Sequence, residues 1–431
     1  MRMFCEPARE IPVADDCDVV VCGSGPAGVT AAVAAARTGV RTRLIEAHGC
    51  LGGVWTSGLL SWVIDSADKP GIMAEITREL DRRGARARDT RVPGKRNYAY
   101  DVEAMKRLLE DLCLEAGVRA QLHTRVASAG KDDANRMAVA VTESRSGRQA
   151  WAARAFVDAT GDGDLAAQAG CGFDYGHPET GRAQPMSLIV LVTGVRFEEI
   201  EPFVGGSMRE PKHRLLAEMQ RAGVSPSYGG PTLFRIRPDL FALMANHEYG
   251  VSATDAAEVT AATMRARAEV NRLVDALRSL GAPWAGLRLV ATAEQIGIRE
   301  GRRIHGRYQV TQEDLLNGAR HEDAVCRVNF GIDVHSTDPS RTKAVEAAPI
   351  RSRPYDIPLR ALIARDVDGL LMAGRCISGD FLAHSSYRVT GDAAPMGQAA
   401  GVTAALAAKA GCLPQDVPWP EVAGALAALN R

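Results

Sequence analysis

The sequence predicts an α/β fold in which helices flank a parallel sheet and a second domain is inserted into the chain. A short apolar, β-branched run at 18–22 is followed by three closely spaced glycines and a helix of small residues. Two further apolar runs, at 155–158 and 368–373, each lead into a turn that contains glycine. Buried parallel strands have this composition, because helices cover both faces of their sheet.

Composition restricts the class of protein. The chain has 431 residues, of which 46% are hydrophobic and 24% are charged. This is ordinary for a globular protein of about two or three domains. The 52 basic and 52 acidic residues leave no net charge. The overall charge would therefore attract neither nucleic acid nor an anionic membrane, and we expect a small-molecule substrate as the partner.

Targeting signals and cysteine pairs are both absent from the sequence. No run approaches the ~20 apolar residues that a membrane span needs, and the first twenty residues lack a basic-then-apolar signal pattern. We expect a cytoplasmic protein, and the sequence leaves homo-oligomerisation open. The nine cysteines form no Cys-x-x-Cys pair, so we expect reduced core thiols and no bound metal.

The first glycine turn has the features of a Rossmann-like dinucleotide site. Gly23, Gly25 and Gly28 form a G-x-G-x-x-G pattern between the strand at 18–22 and a helix at 29–37. This spacing permits a tight turn, a close approach of pyrophosphate to the backbone, and close packing of helix on strand. We expect the phosphates at the N-terminus of the helix, where free N–H groups attract anions.

A second strand and a second glycine turn follow at once. The strand at 40–45 ends at Glu46, where a carboxylate would accept both ribose hydroxyls and repel a 2′-phosphate. The run Cys50-Leu-Gly-Gly53 comes next. In two-domain flavoproteins of the glutathione-reductase type, a similar glycine pair follows the acidic residue. This resemblance favours FAD over NAD.

Three later segments agree with FAD. The run at 121–127 reads as a strand that passes the adenine, and the strand at 155–158 leads into Ala-Thr-Gly-Asp. The helix at 391–406 begins with Gly and Pro, and its N-terminus could stabilise the anion of the reduced flavin ring. The predicted FAD contacts are Gly23, Gly25, Pro26, Ala27, Gly28, Glu46, Ala47, Cys50, Gly52, Gly53, Arg125, Val126, Thr160, Gly161, Asp162, Gly374, Arg375, Gly397, Gln398 and Ala399.

Five motifs in the second half of the chain resemble the FAD-dependent oxidoreductase family, which is related to the fumarate-reductase and glutathione-reductase superfamily. They are Gly297–Ile304, Val310–Leu315, Gly331–His335, Asp356–Arg360 and Gly374–Ser378. The resemblance extends from about Cys17 to about Leu413 and implies an FAD-binding domain of the GR2 type. It identifies no substrate, and the run 379–388 departs from the family pattern.

We expect the FAD-binding domain to be discontinuous, because the C-terminal strand and helix would complete the sheet that begins at Asp18. The predicted boundaries are 1–185 and 350–431 for this domain and 186–349 for an inserted α+β substrate domain. Inside the insert we predict a strand at 187–193 and an amphipathic helix at 255–280, with loops at 205–213 and 335–353. The apolar stripe of the helix is Val259, Met264, Val270, Leu273 and Leu277.

The C-terminal loop supplies the first catalytic candidates, His384, Tyr387 and Arg388. His384 is the predicted general base, because imidazole titrates near neutral pH. The alternative is a loop histidine that bonds to the backbone. Arg388 is the predicted anchor for a substrate carboxylate, through paired hydrogen bonds.

Three further candidates come from the family motifs, namely Arg299, Arg303 and His335. For Arg303 the sequence also allows an internal salt bridge with Glu300 or another acid. Covalent attachment of the flavin through Cys50 or His48 is a separate hypothesis, because side chains in this region carry the flavin in related proteins.

The leading functional hypothesis is a dehydrogenase or oxidase that transfers hydride from a small molecule to flavin N5, in specialised biosynthesis. An FAD-dependent monooxygenase or halogenase is the alternative, although no G-W-x-W-x-I-P element is present. A non-catalytic flavin-binding protein is a third alternative. The sequence does not specify the substrate, the electron acceptor or the oligomeric state.

Overall fold

A computed structural model describes residues 3–87, 97–206 and 208–430. The strands are β1 (Val13–Cys22), β2 (Thr42–Ile45), β3 (Trp62–Val63), β4 (Arg86–Ala87), β5 (Tyr98–Tyr100), β6 (Arg119–Gln121), β7 (Arg125–Lys131), β8 (Met137–Ser144), β9 (Gly147–Asp158), β10 (Phe173–Asp174), β11 (Val190–Thr193), β12 (Thr232–Arg237), β13 (Leu240–Met244), β14 (Arg288–Thr292), β15 (Arg303–Ile304), β16 (Ala324–Val328), β17 (Tyr355–Pro358) and β18 (Leu370–Met372). The α-helices are α1 (Pro26–Arg37), α2 (Ile72–Arg82), α3 (Val102–Ala116), α4 (Asp164–Gln168), α5 (Phe197–Ile200), α6 (Arg209–Arg221), α7 (Ala256–Ser279), α8 (Gln312–Asn317), α9 (Phe381–Tyr387), α10 (Thr390–Ala410) and α11 (Trp419–Leu429).

The largest sheet confirms the predicted α/β class. Its strands lie in the order β6-β2-β1-β9-β8-β7, and β18 also pairs with β9. The strands β6, β2, β1, β9 and β18 run parallel to their neighbours, whereas β7 and β8 form an antiparallel extension. Because β18 comes from the end of the chain, the C-terminal region completes the sheet that β1 begins, as the sequence predicted.

Helices α1 and α10 pack together with almost no side chain between them. Both consist largely of Ala, Gly and other small residues, and nearly all of α10 is buried. A methyl group added at Gly397 would overlap the carbonyl oxygen of Ala27, and one at Gly401 would overlap that of Ala31. The two backbones therefore touch, which sets the position of the α10 N-terminus relative to α1.

The inserted region builds a second core. Its antiparallel sheet has the order β12-β13-β11-β14. Residues such as Val190, Phe241, Leu273 and Trp284 form a hydrophobic cluster of their own. The exact domain boundaries stay a prediction, and the β16–β17 pair joins strands on either side of the boundary proposed at 350.

Several local predictions need correction. The single strand predicted at 121–127 is two strands, because the chain turns at His123 with a φ of 53° and the Thr124 N–H donates to the Glu46 carbonyl. The loop predicted at 205–213 is partly wrong, since α6 begins at Arg209. Helix α7 confirms the predicted helix, but Met264 is 65% exposed and lies outside its buried stripe.

No helix in the described part of the chain is both long and apolar enough to span a bilayer. Within the same residues, no cluster of His, Cys, Asp and Glu could hold a metal ion. All nine cysteines are unpaired, and six of them are buried. The buried thiols pack as small apolar groups.

The contact between α1 and α10 gives a stability prediction. Replacing Gly401→Ala forces a methyl group into the backbone of α1, so we expect a loss of about 1–3 kcal/mol in the free energy of unfolding. The matched control is Gly424→Ala in α11, where the added methyl would meet nothing within 4 Å. There we expect a gain of about 0.5–1 kcal/mol, because alanine favours helix. Denaturant unfolding of both variants measures the difference, and equal stabilities would contradict this account.

Candidate functional site

The predicted glycine elements meet around the N-terminus of α1. The Gly52 N–H donates to the Ser24 carbonyl at 2.8 Å, and a methyl group at Gly53 would lie 3.0 Å from the Gly25 Cα. Arg375 lies directly beside Gly161. We call this partly exposed surface the glycine groove, and its residues are Gly23, Gly25, Gly53, Thr160, Gly161, Asp162 and Arg375.

The three glycines of the first turn have different surroundings. A methyl group at Gly28 would overlap the Gly23 carbonyl, and one at Gly23 would overlap the backbone of Ala159 and Thr160. A methyl group at Gly25 would meet nothing within 4 Å. Gly25 is also the N-cap of α1, and no side chain caps this end or places a negative charge in its first turn. Open space beside uncapped N–H groups fits a pyrophosphate.

Glu46 is fixed beside the same turn. Its carboxylate accepts hydrogen bonds from the Ser24 N–H at 2.7 Å, the Ser24 hydroxyl at 2.6 Å and the His48 N–H at 2.8 Å. The two carboxyl oxygens have further lone pairs, so this group can also accept ribose hydroxyls. The Thr124 N–H bonds to the Glu46 carbonyl at 2.8 Å, and this contact brings the predicted adenine segment, with Arg125 and Val126, next to Ala47.

Two carboxylates organise the far side of the groove. Asp162 receives a hydrogen bond from Arg375 at 2.7 Å. Burial raises the pKa of Asp162, and the charge of Arg375 opposes this shift. Asp158 accepts hydrogen bonds from the Thr160 N–H and hydroxyl and from the Ala166 N–H. Burial raises its pKa to about 6, and its contacts hold the turn that presents Thr160 and Gly161.

The predicted contacts at Gly374 and on α10 have packing roles in this structure. Gly374 lies against Ala27, and Gly397 lies against the backbone of α1. The side-chain amide of Gln398 accepts the Ile72 N–H at 2.9 Å and donates to Asn430 at 2.9 Å. This amide is therefore engaged within the protein. Ala399 is buried in the middle of α10.

The two residues proposed for covalent attachment lie near the second glycine turn. The Cys50 thiol donates to the Thr56 hydroxyl at 3.6 Å, and burial raises the pKa of Cys50. A raised pKa keeps the sulfur as a thiol, which is a poor nucleophile. The His48 ring lies 3.3 Å from the Glu294 carboxylate. Covalent attachment stays an untested hypothesis.

Two of the predicted catalytic side chains are engaged in internal bonds. Arg303 donates to Glu300 at 2.5 Å and to the Gly176 carbonyl at 3.1 Å, so the internal salt bridge that the sequence allowed is present. The Tyr387 hydroxyl donates to the Ile377 carbonyl at 3.0 Å and is fully buried. The Tyr387 contact fixes helix α9, so the loop predicted to carry His384, Tyr387 and Arg388 is a helix that ends at Tyr387.

His384 has a different environment. Its side chain is fully buried, and neither ring nitrogen makes a hydrogen bond of normal geometry with a described residue, although the Arg375 backbone lies close enough to act on the pKa of the ring. Burial, together with the positive charges of Arg303 and Arg388, holds the pKa of His384 well below its usual value. The ring is therefore a neutral imidazole that lacks polar partners, which is costly unless a bound group supplies them.

Arg388 and Arg299 converge where the two domains meet. Arg388 donates to the Asp333 carbonyl at 2.7 Å and to the Gln184 side-chain oxygen at 3.3 Å, while its Nε has no partner among the described residues. Arg299 donates to the Pro185 carbonyl and the Ser187 hydroxyl. Burial lowers the pKa of both side chains, that of Arg299 to about 10.

Asp333 is a partly exposed carboxylate beside these arginines. Its side chain is 29% exposed, but the carboxylate oxygens are surrounded closely enough by protein that burial is the largest single influence on the pKa. Burial would raise this pKa, but the hydrogen bond from His335 and the positive charges of Arg388 and Arg299 outweigh burial and hold the pKa below the usual range. The carboxylate is therefore ionised. We call this place the interdomain recess, and its residues are Gln184, Arg299, Asp333, His335 and Arg388.

The recess carries more positive than negative charge. Arg299 and Arg388 face one carboxylate, that of Asp333, whereas the nearby Arg303 and Glu300 neutralise each other. Burial lowers the pKa of Lys212 on α6, and the negative charge of Asp333 opposes this shift, so this lysine lies within the electrostatic range of Asp333. A buried charge without a counter-charge is costly, so the recess fits an additional anion.

Sequence reasoning singled out Arg388, Arg299 and His335 in this recess and missed Gln184 and Asp333. The His247 ring also approaches His335 from the second domain, with 3.0 Å between His247 Nε2 and His335 Nδ1. Asp333 is the third residue of the quoted motif Gly331–His335, so the motif could have drawn attention to it. No local pattern in the sequence distinguishes Gln184 or His247.

A Rossmann-like crossover, a second glycine turn packed against it and a second domain over a charged recess together define a dinucleotide-binding oxidoreductase. The sequence profile described as FAD dependent oxidoreductase matches residues 18–426. The chain belongs to this family, and FAD is its cofactor. No curated protein matches the chain.

Solved structures show a similar fold. A triple mutant of the flavin-dependent brominase Bmp2 has a TM-score of 0.50 and 12% identity, and the alignment covers 96% of this chain and 85% of the brominase. The myxobacterial chondrochloren halogenase CndH has a TM-score of 0.50 and 15% identity, with 95% and 78% of the two chains covered. A geranylgeranyl bacteriochlorophyll reductase-like protein from Thermoplasma acidophilum has a TM-score of 0.48 and 13% identity, with 96% and 83% covered.

The open space at Gly25 gives a prediction about cofactor binding. Gly25→Ala adds a methyl group that meets no protein atom within 4 Å, so we expect the fold to stay intact. We expect FAD affinity to fall at least about tenfold, because the methyl group keeps the pyrophosphate away from the backbone. Gly28→Ala serves as the contrast, because its methyl overlaps the Gly23 carbonyl and should destabilise the fold itself. Flavin fluorescence titration and thermal unfolding measure the two effects. Full FAD affinity in a folded Gly25→Ala protein would refute this placement.

Proposed function

We propose that this protein dehydrogenates a small anionic molecule and delivers hydride to N5 of its FAD. The observation that supports this proposal is the excess positive charge in the interdomain recess, where two buried arginines share one carboxylate. A substrate carboxylate or phenolate would balance this charge. The bound FAD supplies the acceptor for the electron pair, and the side chains of the recess bind and orient the substrate.

Arg388 is suited to hold the substrate anion. Its guanidinium makes hydrogen bonds with Gln184 and Asp333, but its Nε remains unpartnered in the described structure. The free Nε–H can donate a charge-assisted hydrogen bond to a substrate carboxylate. Arg299 adds a second positive charge from the inserted domain, so closing the two domains on the anion would exclude water from the recess.

A base must take the proton that accompanies hydride removal. The sequence predicts His384, and its neutral imidazole with two unpartnered nitrogens is compatible with this role. The structure adds Asp333, which is ionised and lines the recess beside Arg388. Both groups are free to accept a proton, and binding of an anion nearby would raise their lowered pKa values toward the range in which a general base works.

An FAD-dependent monooxygenase or halogenase is the second candidate. It is favoured by the likeness of the overall fold to the brominase and to the chondrochloren halogenase. Such an enzyme requires oxygen and an external reductant, whereas a dehydrogenase reduces its flavin with the substrate itself. A single anaerobic experiment therefore distinguishes the two candidates, because only a dehydrogenase reduces its flavin when substrate alone is added.

The decisive experiment mixes the FAD-loaded protein anaerobically with a panel of hydroxy acids, amino acids, phenols and uncharged alcohols. We expect an anionic compound to bleach the visible absorbance of the oxidised flavin, and its uncharged counterpart not to do so. If no compound bleaches the flavin, and one of them instead stimulates NAD(P)H-dependent oxygen consumption, the monooxygenase or halogenase replaces our proposal.

The same assay tests Arg388. We expect Arg388→Ala to raise the KM of the anionic substrate by about 10- to 100-fold, because a charge-assisted hydrogen bond contributes about 1.5–3 kcal/mol, while FAD stays bound. Arg278→Ala, which removes an exposed arginine that pairs with Asp275 on α7, is the matched control and should leave KM unchanged. An Arg388→Ala protein with an unchanged KM would exclude Arg388 as the anchor.

A further inference from the structure

We propose that Asp333, His335, His247 and Tyr249 form a proton relay that connects the interdomain recess with the outer side of the inserted domain. This inference rests on the proposed function, because a dehydrogenation in the recess releases a proton that must reach water. It assigns a role to His247 and Tyr249, neither of which belongs to the FAD-binding part of the chain.

The four side chains form one continuous line of hydrogen-bond contacts. The Asp333 carboxylate lies 3.3 Å from His335 Nε2, and His335 Nδ1 lies 3.0 Å from His247 Nε2. His247 Nδ1 then lies 3.1 Å from the Tyr249 hydroxyl. Each of the two imidazole rings therefore has a polar neighbour at both of its nitrogens. This arrangement lets an imidazole accept a proton on one side and release one on the other.

The electrostatics determine where the hydrogens reside at rest. Burial and the charge of Arg299 lower the pKa of His335 to about 4 and hold that of His247 far below its usual value, so both rings are neutral. Because Asp333 is ionised, His335 must donate through Nε2 and accept at Nδ1. His247 then donates through Nε2 and accepts from the Tyr249 hydroxyl at Nδ1.

A second arrangement of the same atoms is also fully bonded. The Tyr249 hydroxyl lies 3.2 Å from the Ser227 carbonyl, which is an alternative acceptor for its hydrogen. With Asp333 protonated, its O–H donates to His335 Nε2, His335 Nδ1–H donates to His247, His247 Nδ1–H donates to Tyr249, and Tyr249 donates to Ser227. The two arrangements differ by one proton, so the chain can hold or release a proton without leaving a nitrogen unpartnered.

The transfer balances step by step. As the O–H bond of Asp333 breaks, an N–H bond forms at His335 Nε2, and the Nδ1–H bond of His335 breaks as one forms at His247 Nε2. The Nδ1–H bond of His247 breaks as an O–H bond forms at Tyr249, whose former proton passes to water. One proton leaves the recess, and each ring remains neutral at the end.

The outer end of the relay is accessible. Tyr249 is partly exposed, and Ser227, which accepts its hydroxyl, lines a cavity of about 450 Å³ together with Glu248, Glu269 and Lys343. The middle of the relay is shielded from water, because His247 and His335 are buried and the centroid of the Tyr228 ring lies 4.3 Å from that of His247 and 5.7 Å from that of His335. His384, in contrast, has no described partner to which it could pass a proton.

The first test observes the hydrogens directly. Histidine labelled with a nitrogen isotope in the FAD-loaded protein reports its tautomer by NMR, and His247→Ala and His335→Gln assign the two signals. We expect both rings to carry their hydrogen on Nε2 at neutral pH. A ring that carries it on Nδ1, or that is doubly protonated, would contradict the resting arrangement.

The second test measures proton movement without any substrate. Electrochemically reduced methyl viologen, whose oxidation releases no proton, reduces the bound FAD anaerobically in weakly buffered solution, and a pH-indicator dye follows the proton that the protein takes up from water. We expect Tyr249→Phe and His247→Ala to slow this uptake about tenfold or more, and imidazole to restore the rate in His247→Ala. His213→Ala, which removes an exposed histidine on α6, should behave as the wild type.

These results separate the relay from the proposed function. Unchanged uptake in both relay variants, with FAD bound, would overturn the relay and leave the dehydrogenase proposal standing. Slow uptake that imidazole restores would support the relay. If, in addition, no anionic compound bleached the flavin, that second result would refute the dehydrogenase proposal and leave the relay standing. If His247→Ala did not fold, Tyr249→Phe would decide, because it removes only one hydroxyl.

Discussion

The site depends on contact between backbones along α1. Gly28 lets this helix touch the turn that precedes it, and Gly397 and Gly401 let α10 touch it from the other side. Side chains at these positions would push the elements apart, and neither helix can slide along the other without overlap. The N-terminus of α1, where FAD phosphates fit, and the last turn of α9, which carries His384 and ends at Arg388, are therefore positioned by the same packing.

This rigid frame supports a recess that is costly to maintain. The Nε of Arg388 and both nitrogens of His384 have no described partners, and each unsatisfied buried group costs about 1–3 kcal/mol. Glu300 and Arg303 form a compact ion pair nearby, whereas Arg299 and Arg388 share one acid. An imbalance of this kind is expected where binding of a ligand restores the missing contacts, because natural proteins concentrate their unfavourable features at functional sites.

The sequence was informative wherever the signal is local. The glycine spacing located the first turn, because three glycines close together in the sequence are the residues that must lack a side chain there. The place of Glu46 could also be predicted, because one helix and one strand of ordinary length separate it from these glycines. The single strand predicted at 121–127 was wrong, because the bend at His123 depends on a backbone contact with Glu46 that no window around position 123 contains. The relay was out of reach for the same reason: His247 and His335 lie 88 residues apart, and an isolated histidine has no periodicity.

Gln184 links the anion site to the relay. Its side-chain oxygen accepts both the His335 N–H at 3.0 Å and the Arg388 guanidinium at 3.3 Å, and its amide nitrogen donates to the Ser385 hydroxyl at 3.0 Å. An anion that draws Arg388 toward itself must weaken the Arg388 contacts with Gln184 and Asp333. Asp333 then loses positive charge from its surroundings and becomes a stronger base. Substrate binding would in this way raise the proton affinity of the group that starts the relay, at the moment when a proton must be taken up.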